Sequence, residues 1–272
     1  MPVTLPPDAA GNANKMQFAL NPLTMTWVDE GGDNINASYP GSNAFLFHRP
    51  RFVTRWSSTG SSYLLIDFGS NKTIPLITIE GHNFASLQVN GGTTTAASTS
   101  IRTLTSVLSA VDEEDGRRKY WITLTGFTAM RYMKLTPSSP DAGASYYELG
   151  LVAAYDSSNV WTFTRGPTVP YGKQFRMEGQ ETEYPLGGFV RGAYGIQYAE
   201  IDLQGKFMLD DSASKTDWTT LASYSPSKGL AFFENKGTLT KVYHCFRQPG
   251  WSIQRGNDRV YQVDNVSLRE VA

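Results

Sequence analysis

Three histidines, one cysteine and a scatter of carboxylates are the residues of this 272-residue chain best equipped for chemistry. The histidines are His48, His82 and His244, and no pair has the His-x-His or His-x-x-x-His spacing of a metal site. His244 and Cys245 are adjacent within Val242-Tyr243-His244-Cys245-Phe246, a strand-like run. Neighbours on a strand point to opposite faces, so the two can neither share an ion nor form a thiolate–imidazole dyad. Cys245, set between aromatics, reads as a small core hydrophobe. There is no Gly-x-Ser-x-Gly nucleophile elbow and no phosphate-binding Gly-Lys-Ser/Thr loop. Glycoside hydrolysis needs two acids facing each other across a cleft. Asp67, Glu80, Glu148, Glu178, Glu181 and Glu183 are available, but no local pattern pairs two of them. No catalytic residue, metal site or cofactor is expected, and the chain reads as a non-enzyme.

His82 lies in Gly81-His82-Asn83, directly after an apolar run. Gly81 and Asn83 tolerate positive φ, so the triplet reads as a structural corner. His82 or Asn83 would bond the turn backbone, and Phe84 would re-enter the core.

The elements that must position these residues are almost all strands. Tyr63–Phe68 and Ile74–Glu80 are apolar runs bounded by turn residues. Arg131–Leu135 alternates, with Tyr132 and Lys134 on one face and Met133 and Leu135 on the other. Leu104–Val111 and Lys119–Leu124 read as strands joined by a hairpin over Asp112–Arg118. Tyr146–Ala154 closes this half. Asp156-Ser157-Ser158-Asn159 reads as a linker, giving domains 1–155 and 156–272. The second half adds Tyr171–Glu178, Arg191–Ile196, Tyr198–Phe207, Gly229–Glu234, Leu239–Arg247 and Tyr261–Glu270. One short helix is expected at Thr216–Tyr224, capped by Ser214 or Thr216. Short strands without intervening helices predict an all-β fold of two β-sandwich domains.

Composition narrows the partners. Charged residues make up 18% of the chain, below the ~25% of an average soluble protein. Basic and acidic residues balance in both halves, 11 against 12 before Asp156 and 13 against 13 from it onward. A dedicated nucleic-acid binder is not expected. No apolar run is long enough for a membrane span, and the N-terminal stretch lacks a signal-peptide core, so synthesis in the cytoplasm is expected. With 12% aromatics and low charge, the surface suits a subunit that buries itself against partners.

Several short motifs carry a resemblance. Trp56-Ser57-Ser58-Thr59-Gly60, Leu65-Ile66-Asp67-Phe68-Gly69, Gly81-His82-Asn83, Arg131-Tyr132-Met133-Lys134-Leu135 and Tyr146-Tyr147-Glu148-Leu149-Gly150 occur in that order. Together, over Pro40 to Tyr155, they resemble discoidin-like (galactose-binding-like) β-sandwiches, in the version found in bacteriophage tail and baseplate proteins. Met133 departs from that pattern, which carries Trp there. In the second half, Asp217-Trp218-x-x-Leu221, Gly229–Phe233 and Tyr261–Glu270 resemble the β-sandwich of phage distal-tail proteins. The resemblance implies a discoidin-like jelly roll followed by a tail-ring-type sandwich with one short helix. It implies a structural subunit of a phage tail tip or baseplate, located in the virion. Such a subunit would form a homo-oligomeric ring, a hexamer, and dock tube, hub or fibre proteins. The alternative it implies is a carbohydrate-binding module for a host cell-surface glycan. Discoidin-like sandwiches bind ligands through loops at one end, which makes Phe52, Trp56 and Asn83 the candidate contacts. Phe52 or Trp56 could stack on a sugar ring there; equally, Trp56 could be a core residue closing the sandwich mouth.

Overall fold

The computed structural model describes residues 16–30, 34–47, 52–59, 62–111, 118–124, 129–163, 172–183, 189–208, 210–233, 242–255 and 260–271. His48 and most of the Asp112–Arg118 connection lie outside them. In chain order the strands are β1 (Gln17–Leu20), β2 (Thr26–Trp27), β3 (Thr54–Ser57), β4 (Leu64–Lys72), β5 (Leu76–Glu80), β6 (Phe84–Gly92), β7 (Thr99–Leu104), β8 (Lys119–Thr123), β9 (Met130–Pro140), β10 (Tyr146–Leu149), β11 (Leu151–Tyr155) and β12 (Val160–Thr162). There follow β13 (Gly172–Glu183), β14 (Phe189–Met208), helix α1 (Ser212–Ser223), β15 (Gly229–Phe233), β16 (Val242–Arg247), β17 (Ser252–Arg255) and β18 (Val260–Glu270). The described residues are thus all-β with one short α-helix, and their strands pair antiparallel. No helix among the described residues is long and apolar enough to cross a membrane.

Two compact units form, and neither is continuous in sequence. The first comprises 1–163 and 229–244, the second 164–228 and 245–272. The expected division, by contrast, is a single cut after Tyr155. In the first unit β12 and β15 flank β1, with Phe18 paired to Trp161 on one side and Phe232 on the other. The stretch read as a linker is a 3-10 turn, Ser157–Asn159, capped by the Asp156 side chain.

The first unit is a β-sandwich. A five-stranded sheet, β2-β4-β9-β6-β7, faces a three-stranded sheet, β11-β5-β8, with the pair β10-β3 beside them. Period-2 alternation aims Leu64, Ile66 and Phe68 of β4, with Met133 and Leu135 of β9, into one core. Ile77 and Ile79 of β5, Tyr120 and Ile122 of β8, and Val152 and Ala154 of β11 enter it from the opposite sheet.

The three-stranded sheet is buried on both faces, which is why β5, β8 and β11 are covered at every position. Its outer face carries Leu76, Trp121, Ala153 and Tyr155, packed against Ala19, Val160, Ala231, Phe233 and Val242. The expected strand over Leu104–Val111 does not form. β7 instead ends at Leu104. Beyond it Ser106 adopts φ 55°, and over residues 106–111 Leu108 alone is buried, where a half-buried strand would cover every second residue.

In the second unit β14 pairs with β13 and β18, and β18 also pairs with β17 and with Cys245–Arg247 of β16. The segments read as separate strands at Arg191–Ile196 and Tyr198–Phe207 are one 20-residue strand, β14. Helix α1 starts at Ser212, four residues before the expected Thr216. Its cap is Asp211, whose carboxylate accepts from the Ser214 N–H at 3.0 Å and the Ser214 hydroxyl at 2.9 Å. At the other end Arg247 donates through Nε to the Tyr224 carbonyl at 2.6 Å.

Candidate functional site

The chemistry-bearing side chains gather at two places in the first unit, one buried and one open. The buried one centres on His244. Its Nδ1 lies 2.7 Å from Glu80 Oε2, and its Nε2 lies 2.7 Å from Thr78 Oγ1. The carboxylate thus meets one ring nitrogen and the hydroxyl the other. Thr78 and Glu80 stand two apart on β5, so both project from the same face. The order hydroxyl, imidazole, carboxylate is that of a nucleophilic relay. Its setting is not: Thr78 and His244 are 0% exposed and Glu80 is 1% exposed. Lys119, the cross-strand partner of Glu80, is also fully buried. Its ammonium sits 4.4 Å from the centroid of the Tyr243 ring. A substrate has no path to this hydroxyl, and the cluster acts as a polar latch between β5 and β16. Cys245 is buried and forms no disulfide. No group of three or more metal-ligating side chains occurs among the described residues.

The corner at Gly81-His82-Asn83 follows β5. Gly81 has φ +69°, the left-handed conformation that glycine adopts without penalty. His82 is 5% exposed; its Nδ1–H donates to the Phe84 carbonyl at 3.0 Å, and its ring lies 4.7 Å from that of Phe84. Burial above all holds its pKa down at about 4. Asn83 reaches across to β10, donating to the Tyr146 carbonyl at 3.0 Å and accepting from the Glu148 N–H at 2.7 Å. The corner therefore fixes the strand that carries Tyr146 and Glu148.

The open place lies where β10 meets β3. The register pairs Tyr146 with Ser57, Tyr147 with Trp56, Glu148 with Arg55 and Leu149 with Thr54. Alternation sends Thr54, Trp56, Tyr147 and Leu149 inward and leaves Arg55, Ser57, Tyr146 and Glu148 on the outer side. The segment 34–39 lies along the other edge of β3. Asn36 donates to the Arg55 carbonyl at 2.8 Å, Arg55 to that of Tyr39 at 3.1 Å, and Ser57 to that of Asn34 at 3.1 Å. An Asx turn, Ser38 N–H to Asn36 Oδ1 at 2.9 Å, bends this segment. Together these pieces enclose a cleft of about 370 Å3, lined by Asn34, Asn36, Tyr39, Arg55, Trp56, Ser57, Ser145 and Tyr146.

Arg55 is its central feature. Its Nε donates to Glu148 Oε2 at 2.8 Å. Its guanidinium carbon stands 4.3 Å from the Tyr39 ring centroid and 4.7 Å from that of Tyr146. Partial desolvation opposes its charge, but Glu148 more than offsets this, and the pKa is raised overall.

Of the aromatics singled out in the sequence, Trp56 is 1% exposed and belongs to the sandwich core against Tyr147, so it floors the cleft instead of offering a stacking face. Phe52 is 49% exposed but does not line the cleft. In the sequence Glu148 stands out only as one of six acids that no local pattern pairs and Tyr146 only as part of a motif, and nothing local marks Tyr39 or Arg55. Arg55 and Glu148 are 93 residues apart, so only the strand register reveals the pair.

No protein-family model and no curated protein matches the sequence. Among solved structures, the chain is similar to chitosan-binding module 1 of a chitosanase/glucanase from Paenibacillus sp. IK-5. The identity is 20% and the TM-score 0.34, over 50% of this chain and 96% of that one. It is also similar to a CBM32 module of a family 31 glycoside hydrolase from Clostridium perfringens, at 13% identity and TM-score 0.36, over 54% and 98%. A third likeness, to the lectin domain of lectinolysin complexed with Lewis b antigen, has 10% identity and TM-score 0.35, over 49% and 92%. At such identities and scores these likenesses are too remote to bear on function.

Proposed function

We propose that this protein binds a glycan in the cleft between β3, β10 and the segment 34–39, without performing a reaction on it. The observation that carries this reading is the arrangement around Arg55. A guanidinium held between two tyrosines is surrounded by two asparagine amides and two serine hydroxyls. Sugars present apolar ring faces edged with hydroxyls, so they call for aromatic surface beside fixed donors and acceptors. The cleft is within the ~300–1,000 Å3 range of small-molecule sites. Tyr146 keeps 38% of its surface exposed for such a contact. Binding to a glycan array, followed by titration calorimetry, tests the reading. Tyr146→Ala should remove binding while leaving the melting temperature close to that of the parent. Binding undiminished in Tyr146→Ala would place the ligand elsewhere.

A second reading rests on the sequence resemblance to phage tail proteins: a tail-tip or baseplate subunit in a sixfold ring, docking tube, hub or fibre proteins. Supporting it, β13 stands at the end of the strand order, with β14 as its one strand partner among the described residues. A long edge strand is a template for pairing with another chain. Native mass and particle composition decide it. A persistent monomer absent from virions would rule it out. The two readings are compatible, since a virion subunit can also touch a host glycan.

A further inference from the structure

The polar groups that Arg55 leaves unused narrow the ligand class at the same cleft, and this step rests on the glycan-binding reading. Arg55 and Glu148 are directly opposite in the β3–β10 ladder, and the guanidinium's Nε side is committed to the Glu148 carboxylate at 2.8 Å. The Tyr39 and Tyr146 rings lie over it at 4.3 and 4.7 Å. What remains is the terminal edge. Nη1 and Nη2 make no hydrogen bond to a described residue, and the side chain keeps 30% of its surface exposed. That edge is a rigid fork of parallel N–H donors, and two partners match it. One is a carboxylate. The other is a pair of adjacent hydroxyls on a sugar ring.

Charge separates the two. Arg55 is the one charged residue among the described residues lining the cleft, and Glu148 already balances it. A uronate carboxylate would meet a neutral ion pair, lose its hydration and stand close to Glu148, a like charge. A neutral diol incurs neither cost, and the cleft lining beside Arg55 is otherwise uncharged, with the Asn36 amide and the Ser145 hydroxyl as neutral partners for the remaining hydroxyls. We infer that the cleft takes a neutral sugar through a pair of adjacent hydroxyls on the Arg55 fork, and that Glu148 is the residue that turns acidic sugars away.

The test uses the full chain with two probe sets on one array: neutral oligosaccharides of glucose, galactose and mannose, and uronate oligosaccharides. The parent protein should bind a neutral probe at least about tenfold more tightly than any uronate. Glu148→Gln leaves the backbone N–H that Asn83 holds, and it unbalances Arg55. It should gain about tenfold for uronates while changing neutral binding less. A purely structural role for Glu148 would instead weaken both classes together. Arg55→Lys keeps the charge pair but loses the fork, and should weaken neutral binding by about tenfold. The inference is overturned if the parent prefers uronates, if Glu148→Gln leaves uronate binding unchanged, or if Arg55→Lys binds as the parent does. A charge preference opposite to this one leaves glycan binding standing and removes only the inference. Absence of binding to either set removes both.

Discussion

Acid should loosen this protein through His82, and the size of the effect follows from the geometry of the corner. The ring is buried, its Nδ1–H is committed to the Phe84 carbonyl, and its Nε2 has no hydrogen-bond partner among the described residues. A second proton would have to sit on that unpartnered nitrogen. Burial is the main cause that lowers the pKa from 6.5 to about 4; the Phe84 carbonyl opposes it, the Arg118 guanidinium adds to it, and Asp141 opposes it. Between those two values the unfolded chain binds a proton that the folded chain excludes. Stability is therefore full above pH 6.5 and is lost as pH falls through the window toward 4. At about 1.4 kcal/mol per pH unit, the loss from this residue is about 2 kcal/mol by pH 5 and about 3 kcal/mol by pH 4. His82→Gln keeps a donor for the Phe84 carbonyl and does not titrate in this range. Urea unfolding of both proteins at about pH 7 and about pH 5 isolates the contribution, because the carboxylates titrate in both. The parent should lose about 2 kcal/mol more than the variant across that interval. Equal losses would refute the reasoning, since a buried neutral imidazole cannot be indifferent to a proton that the unfolded chain accepts.

Three further outcomes follow from the packing. Glu80→Ala strips the carboxylate from His244 and from the face shared with Lys119, and should cost about 3–5 kcal/mol in urea unfolding; a cost below about 1 kcal/mol would mean the latch is dispensable. Trp56→Ala should destabilise the first unit by about 3–5 kcal/mol, whereas Tyr146→Ala, at a half-open position, should cost far less; calorimetric melting of the two variants separates core from cleft. Gly205→Ala would drive a Cβ into the Trp218 indole; overpacking against a buried ring should cost about 1–3 kcal/mol or more, read as a lowered melting temperature.

Local pattern made the strands of the sandwich legible. The apolar runs Tyr63–Phe68 and Ile74–Glu80, the alternation of Arg131–Leu135 and the glycine at Gly81 each carry their meaning within a few residues. The stretch Tyr146–Ala154 was harder, since β10 and β11 pair with different strands, β3 and β5, and no periodicity announces the switch. The helix begins earlier than its pattern suggests because Ser212, Ala213 and Lys215 show no apolar stripe, while the residue that sets the start, Asp211, acts through a cap.

The cleft was hidden for a different reason. Each of its parts has an ordinary local explanation: Tyr39 and Asn36 sit in a polar loop, Arg55 precedes a core tryptophan, and Glu148 follows two tyrosines. The site exists only in the register that places Arg55 opposite Glu148. The latch is the same case at longer range. Glu80 and His244 are 164 residues apart, and on a sheet covered on one side only, Glu80 would face water. It becomes a buried acid because β5 is covered on both faces, and a buried acid must find a partner. His244 meets that requirement, so two residues that look like idle catalytic groups in the sequence, Glu80 and His244, are bound up in holding two layers together. The side chains left to meet a ligand are those on the outer face of β3 and β10, where a single layer leaves Arg55 and Tyr146 open to solvent.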